Sequence, residues 1–137
     1  MRTAIDTNIF SAIWSGESSV PELIQKLGMA KSEGALLICP AVFAELHAYP
    51  GASAEFVTGM LRATGVSVDY ALEEATWSEA GQRFSAYSAR RRTSGGDSAR
   101  RILTDFLIGA HALRQAERLL TLDAGIYRRN FAELRLL

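Results

Sequence analysis

The chain alternates short apolar runs with longer segments in which apolar residues recur at helical spacing. The short runs are continuously hydrophobic, which is typical of strands buried on both faces of a parallel sheet. The predicted strands cover residues 2–5, 35–39, 66–68, 119–121 and 134–137. The predicted helices cover residues 9–14, 20–31, 40–49, 53–64, 72–92, 102–118 and 127–131. This alternation predicts an α/β protein, a three-layer α/β/α domain with a mainly parallel sheet.

Capping and turn residues set the boundaries of these elements. Thr7 or Asn8 is expected to cap the first helix, and Gly65 is expected to close the fourth. The clearest loop is residues 93–97, and a turn is predicted at 123–125. With 137 residues and no internal repeat or linker, the chain is predicted to form one domain over 1–137.

The composition is that of a folded globular protein, with 48% hydrophobic and 22% charged residues, and it excludes disorder and a disulfide scaffold. Cys39 is the only cysteine, which rules out an intramolecular disulfide and suits a reducing compartment. Asp6 interrupts the first apolar stretch, so no signal peptide is expected. No apolar run approaches the roughly 20 residues of a membrane span. We therefore expect a cytoplasmic protein with no membrane association.

The charges cancel overall, because 15 basic residues face 15 acidic ones, so net charge does not indicate nucleic-acid binding. A local cluster does stand out, because arginines 90–92 and 100–101 flank the loop that contains Gly95 and Gly96. Contact with RNA phosphates or with an acidic partner is the functional interpretation, and it would involve Arg91, Arg92 and Arg100. The alternative is a solvated helix end, where cations suit the helix dipole.

Two acidic residues, Asp6 and Asp123, directly follow predicted strands. In open parallel sheets, ligands bind beyond the carboxyl ends of the strands, so both side chains are expected at the edge where a site would form. The alternative for Asp6 is a helix cap, and for Asp123 a cap or turn residue next to Gly125.

Two further acidic residues, Glu45 and Asp105, lie within predicted helices. Glu45 falls inside the apolar stripe formed by Val42, Leu46 and Tyr49, and Asp105 lies in a segment that is apolar nearly all round. A buried carboxylate is costly unless it is paired or bound to a metal. The alternatives are a stripe edge for Glu45, with its side chain in solvent, and a first-turn acid favoured by the helix dipole for Asp105.

Four carboxylates that meet at one sheet edge would raise one another's pKa and would need a cation to remain ionised together. An all-oxygen cluster selects a hard cation such as Mg²⁺ or Mn²⁺. Such a site suits the attack of water on a phosphodiester.

The sequence resembles the PIN-domain nucleases over essentially the whole chain. The resemblance rests on four blocks, namely Asp6-Thr7-Asn8 after a short strand, Glu45 in the helix after the second strand, Thr-Asp-Phe-Leu-Ile around Asp105, and Thr121-Leu122-Asp123 before Tyr127 and Phe131. Within that family, the length and the ending Leu-Thr-Leu-Asp-Ala-Gly-Ile-Tyr-Arg-Arg-Asn-Phe resemble the VapC-type toxins of type II toxin–antitoxin modules. The resemblance implies a Mg²⁺-dependent ribonuclease, with Mn²⁺ as a substitute, that is usually a homodimer neutralised by a cognate antitoxin.

The resemblance also implies roles for individual residues. Asp6 and Asp105 would be the principal metal ligands, Asp123 would complete the metal site, and Glu45 would ligate the metal or position the attacking water. Asn8 and Thr121 match positions that support the acidic residues by hydrogen bonds. The family often carries Ala soon after the third acidic residue, whereas Phe106 and Leu107 follow here, which would reshape the groove wall.

Other functions remain open or are disfavoured. A PIN-type ribonuclease that works in RNA processing without an antitoxin, and a catalytically inactive interaction module, both remain open. A haloacid-dehalogenase phosphatase would need Asp where Asn8 stands, and a receiver-like switch would need a lysine late in the chain, whereas the only lysines are Lys26 and Lys31. His47 and His111 are not at metal-ligand spacing.

Overall fold

The computed structural model describes residues 1–93 and 102–137, and in these residues the strands form one parallel sheet in the order β3-β2-β1-β4. Helices connect each strand to the next, and one further helix follows the last strand. In chain order the elements are β1 (Thr3–Ile5), α1 (Thr7–Trp14), α2 (Val20–Glu33), β2 (Leu36–Ile38), α3 (Pro40–Leu46), α4 (Ala54–Thr64), β3 (Val66–Val68), α5 (Glu74–Thr93), α6 (Leu103–Gln115), β4 (Arg118–Leu120) and α7 (Ala124–Asn130). The prediction of a three-layer α/β/α fold with a parallel sheet is confirmed.

The strand order places a switch in topology between β1 and β4. The chain steps from β1 to β2 to β3 in one direction and then returns past β1 to β4. Crossover connections between parallel strands are right-handed, so connections that run in opposite directions along the sheet lie on opposite faces. The connections from β1 through β3 and the connection back to β4 therefore diverge between β1 and β4. Thr3 pairs with Leu36 on one side and with Arg118 on the other, and the Asp6 N–H donates to the Leu120 carbonyl at 3.0 Å. Ligands bind at such a switch point in open α/β sheets.

The strands are short but almost wholly buried, because helices cover both faces of the sheet. Ile5, Ile38 and Leu119 have no measurable exposure and form the centre of the core. At one end of the core, α6 approaches the chain after α7 so closely that a Cβ on Gly109 would lie 2.5 Å from the ring of Phe131. This close approach requires glycine at position 109 and fixes α6 beside the C-terminal segment.

The structure corrects two of the predicted helix ends. The third helix was expected to run to residue 49, but α3 ends at Leu46, since the next N–H groups bond three residues back instead of four and Pro50 follows. The helix expected to run to 118 ends at Gln115, because Arg118 pairs with Thr3 in the sheet.

Three further boundaries differ near the termini. Asp6, and neither Thr7 nor Asn8, caps α1. The predicted turn at 123–125 is wrong, because α7 begins at Ala124. The predicted strand 134–137 is reduced to a single bridge between Leu119 and Leu136. Residue 93 of the predicted loop ends α5, and residues 94–97 lie outside the described residues.

Among the described residues, none of the helices combines the length and the apolar character needed to cross a membrane.

Candidate active site

Asp6 lies at the carboxyl end of β1, where its Oδ1 accepts a hydrogen bond from the Thr7 N–H at 2.7 Å. Three donors converge on Oδ2, namely the hydroxyls of Thr121 (2.7 Å) and Tyr127 (3.1 Å) and the amide of Asn8 (3.2 Å). The residue is only 4% exposed. Burial raises the pKa of Asp6 above its ordinary value, although the hydrogen bonds act in the opposite direction. The carboxyl group is therefore held in one orientation at the topological switch.

Asn8 and Thr121 join the ends of β1 and β4 through this carboxyl group. The Asn8 amide also donates to the Thr121 hydroxyl at 3.3 Å, and its Oδ1 accepts from the Leu122 N–H at 3.1 Å. The Thr121 hydroxyl in turn accepts from the Asp123 N–H at 3.0 Å. These contacts have the supporting geometry that the resemblance implies, and the part of both residues in catalysis stays a prediction.

Tyr127 is a member of the site that sequence reasoning did not identify. It is 1% exposed, and burial, reinforced by the negative charge of Asp6, raises its pKa so that the hydroxyl stays protonated and donates to Asp6. A buried tyrosine hydroxyl needs a polar partner, and Tyr127 is the one aromatic residue in the polar segment Tyr-Arg-Arg-Asn. A single aromatic residue among polar neighbours was the signal available in the sequence, but it does not indicate which acidic residue accepts the hydrogen bond of the tyrosine.

Glu45 reaches the site from α3, and of the two interpretations left open by the sequence the structure supports the stripe edge. Val42 and Leu46 are buried, whereas Glu45 lies at the exposed edge of the stripe. The Thr7 hydroxyl donates to its Oε1 at 3.2 Å. Partial burial raises the pKa of Glu45, and the charge of Asp6 adds to this increase while the Thr7 hydrogen bond opposes it. Glu45 is thus an accessible carboxylate tied to the start of α1.

Asp105 is half-buried in the first turn of α6, directly before the fully buried Phe106. Burial, and to a smaller extent the negative charges of Asp6, Glu45 and Asp123, raise the pKa of Asp105 to about 7. All three other acidic residues therefore lie within electrostatic range of Asp105. The structure brings the four predicted carboxylates to one edge of the sheet.

Asp123, like Glu45, is exposed. It precedes α7, and among the described residues its side chain makes no capping hydrogen bond to that helix. Its charge contributes to the raised pKa of both Asp6 and Asp105.

The carboxylate cluster is negatively charged and composed of oxygen donors. Within residues 1–93 and 102–137, no three His, Cys, Asp or Glu side chains are close enough as placed to hold a metal ion. The chemistry of the donors nevertheless fits a hard divalent cation, because carboxylate oxygens are its preferred ligands and the repulsion that raises the pKa of Asp105 is the kind that a cation relieves.

The arginine cluster is only partly within the described residues. Arg91 lines a cavity of about 510 Å³ together with Tyr87, Arg90, Arg129 and Asn130. Arg92 is exposed near the end of α5, and the predicted contact residue Arg100 lies outside the described residues. Sequence reasoning did not associate Arg129 or Asn130 with the cluster, because they lie on α7, about 40 residues further along the chain.

The two histidines have structural partners elsewhere. His111 is fully buried, with Nε2 at 3.1 Å from Asp69 Oδ2, and Nδ1 of His47 lies 2.8 Å from the carbonyl oxygen of Phe43.

Comparison with known structures identifies similar folds. The chain is similar to a chain of VapBC2 from Rickettsia felis, whose crystal structure was determined bound to a DNA fragment from the VapBC2 promoter. The two chains are 19% identical, the similarity covers 100% of this chain and 98% of the other, and the TM-score is 0.63. It is also similar to a chain of VapBC-1 from nontypeable Haemophilus influenzae, with 18% identity, coverage of 100% and 97%, and a TM-score of 0.64. No curated protein matches the chain at a significant level.

The sequence model of the PIN domain family matches residues 3–132 of this chain. This match includes the four carboxylates and every strand of the sheet. The chain therefore belongs to the PIN domain family, a family of nucleases.

Proposed function

We propose that this protein is a Mg²⁺-dependent endoribonuclease that acts as the toxin of a type II toxin–antitoxin system. The observation that carries the catalytic part of the proposal is the convergence of Asp6, Glu45, Asp105 and Asp123, where burial and the negative charges of the other three residues raise the pKa of Asp105 to about 7. Membership of a nuclease family supports the same reaction class.

Under this proposal Asp6 and Asp105 hold the cation, and Asp123 completes the set. The bound cation would polarise the phosphoryl oxygen and lower the pKa of the attacking water. Glu45 is accessible and linked through Thr7 to the start of α1, so it is the carboxylate available to orient that water. Mn²⁺ would serve as a substitute, since it accepts the same oxygen ligands.

The hydrogen-bond network around Asp6 would supply the rigidity that such a site needs. Thr121, Asn8 and Tyr127 all donate to Oδ2, whereas Oδ1 accepts from a backbone N–H. Groups that orient a metal ligand in this way commonly affect metal affinity as strongly as the ligands do.

The test compares the wild-type protein with Asp6→Asn and Asp105→Asn on a pool of structured RNAs, in Mg²⁺, in Mn²⁺ and in EDTA. We expect cleavage by the wild type with either cation, no cleavage in EDTA, and rates lower by about 100-fold or more in the variants, because each substitution removes a charged ligand. Circular dichroism checks that the variants fold. Wild-type cleavage that persists in EDTA would refute the metal-dependent mechanism.

The toxin role is supported by the structural neighbours, which are chains of VapBC complexes. A PIN-type ribonuclease that works in RNA processing would have the same active site. A small open reading frame that encodes an antitoxin next to the gene would distinguish the toxin from such an RNA-processing enzyme. A catalytically inactive interaction module predicts no cleavage of any RNA in the experiment above. A homodimer remains a prediction, which sedimentation analysis of the purified protein tests.

An antitoxin needs a docking surface, and an apolar cleft of about 330 Å³ between α1, α2 and α4 provides one. Phe10, Leu27 and Met60 line it, and Ile24 at its rim is 52% exposed. Exposed apolar clefts of this kind accept the apolar face of an amphipathic helix. We assign this cleft to the antitoxin.

A further inference from the structure

The cavity between the last turns of α5 and α7 has the composition of an anion-binding site. Tyr87, Arg90 and Arg91 line it from α5, and Arg129 and Asn130 line it from α7. Its volume of about 510 Å³ falls within the range of roughly 300–1,000 Å³ that is typical of ligand pockets. Three of its five lining residues are arginines, although the protein as a whole has no net charge.

Asn130 holds one of these arginines in place. Its Oδ1 accepts a hydrogen bond from Nη2 of Arg90 at 2.6 Å, while its own amide donates to the Ile126 carbonyl at 2.8 Å. Nη1 of Arg83 donates to the Asn130 carbonyl at 2.8 Å. The contact with Asn130 uses one of the five N–H groups of the Arg90 guanidinium. An arginine held in this way loses less conformational entropy when it binds an anion.

Arg129 folds back along α7 towards the start of that helix. Its guanidinium lies back along α7, with Nη1 3.5 Å from the position that a Cβ on Gly125 would occupy. Gly125 is two residues after Asp123, and Tyr127 on the same helix donates to Asp6. On the α5 side, the ring of Tyr87 lies 5.5 Å from that of Phe106, the residue that follows Asp105. The cavity and the acidic site are thus joined by α7 and by a ring contact.

We propose that this cavity binds a backbone phosphate of the RNA strand, one or more nucleotides away from the phosphate that is cleaved. The inference rests on the proposed nuclease function and adds a second contact point for its substrate. A cluster of four carboxylates repels a polyanion, so RNA needs a positively charged contact close by to place a phosphate among them. Arginine suits this contact because its planar donors match the phosphate oxygens in pairs.

The test measures binding of a fluorescein-labelled single-stranded RNA of about 12 nucleotides to protein that carries Asp105→Asn, by anisotropy over a range of salt concentrations. Adding Arg90→Gln and Arg129→Gln should weaken binding about 10-fold near 0.1 M salt. It should also reduce the slope of log affinity against log salt by about 0.7, because the cavity neutralises one phosphate of a single strand. Circular dichroism confirms that each variant folds.

Two control variants separate the cavity from general charge effects. Arg62→Gln removes an arginine from α4, outside the cavity, and should leave the affinity and the slope unchanged. Replacing Arg90 and Arg129 by lysine keeps both charges and should retain most of the slope while lowering the affinity. A lysine pair that loses the slope as fully as the glutamine pair would count against the proposal.

The outcomes also distinguish this proposal from the one on which it rests. Cleavage that survives EDTA would refute the metal-dependent reaction. The phosphate site would still be decided by the salt dependence of RNA binding, which is measured without cleavage. If the glutamine pair instead keeps the RNA affinity and slope of its parent but escapes neutralisation by the antitoxin, the phosphate site is refuted and the cavity holds an acidic segment of the partner protein.

Discussion

At the scale of single residues, Asp6 combines a structural and a chemical role. Its Oδ1 caps α1, as a helix N-cap residue does, and its Oδ2 collects three side-chain donors. Either role alone explains an aspartate after a strand, so the sequence left both interpretations open. The structure shows that they coexist, because a carboxylate has two oxygens and each serves a different set of donors.

The raised pKa of Asp105 predicts a specific dependence of stability on pH. Its pKa is about 7 in the folded protein and 3.8 in the unfolded chain, where the carboxyl group is exposed to solvent. The metal-free folded state therefore binds more protons between these two values, and its free energy of unfolding falls as the pH rises from about 4 to 7. Asp105→Asn should remove the part of this fall that Asp105 contributes and stabilise the metal-free protein at pH 8 by about 1–2 kcal/mol, a reduced figure because Asp105 is only half-buried and solvent screens its charge. Urea unfolding in EDTA at pH 5 and pH 8 measures the effect.

A matched comparison identifies the source of that effect. Glu55→Gln removes an exposed carboxylate in the first turn of α4 and should leave the pH dependence of the wild type in place. If Asp105→Asn shows the same fall between pH 5 and pH 8 as the wild type, the burial of Asp105 and its repulsion by the other three carboxylates are not the cause of that fall.

At the scale of elements, most strands and helices could be predicted, because their apolar residues recur with the period of the structure they form. The errors fall where a tertiary contact decides the outcome. Arg118 reads as the polar end of a helix, but in the sheet its guanidinium donates to the Thr3 hydroxyl at 2.8 Å and pairs with Glu33. A partner 115 residues away in sequence leaves no trace in local periodicity.

The contact between α6 and the C-terminal segment gives a prediction about stability. Gly109→Ala should lower the free energy of unfolding by about 1–3 kcal/mol, because the new Cβ would lie 2.5 Å from the buried ring of Phe131. Gly81→Ala is the matched control within α5, where a Cβ meets no heavy atom within 4 Å, and it should stabilise the helix by up to about 1 kcal/mol. Urea denaturation measures both, and equal effects would contradict this account of Gly109.

At the scale of the whole molecule, the sequence could indicate which acidic residues converge but not how they are held. Asp6 and Asp123 follow strands, and strand ends meet at one edge of a parallel sheet, so their proximity follows from the fold class. The Tyr127 hydrogen bond to Asp6 depends on the angle at which α7 packs, and the cavity between α5 and α7 depends on side-chain positions. These features arise from packing between distant segments.

The apolar cleft predicts that partner binding and catalysis can be separated. Under the proposed toxin function, Ile24→Glu places a charge at the rim of the cleft and should weaken binding of the proposed antitoxin by at least about 10-fold, while the proposed RNA cleavage is unchanged. Met29→Glu is the matched control on α2, since Met29 is 47% exposed and lies outside the cleft lining. Calorimetry measures binding, and equal loss in both variants would contradict the assignment of the cleft.

The pairing of β1 with β4 has a consequence for the cell that makes this protein. The carboxyl group of Asp6 meets Thr121 and Tyr127, so its surroundings are complete only after a further 115 and 121 residues of chain have followed it. During translation the nascent polypeptide therefore carries its first acidic residue in an unfinished setting. We expect the site around Asp6 to form only after α7 has emerged from the ribosome and docked.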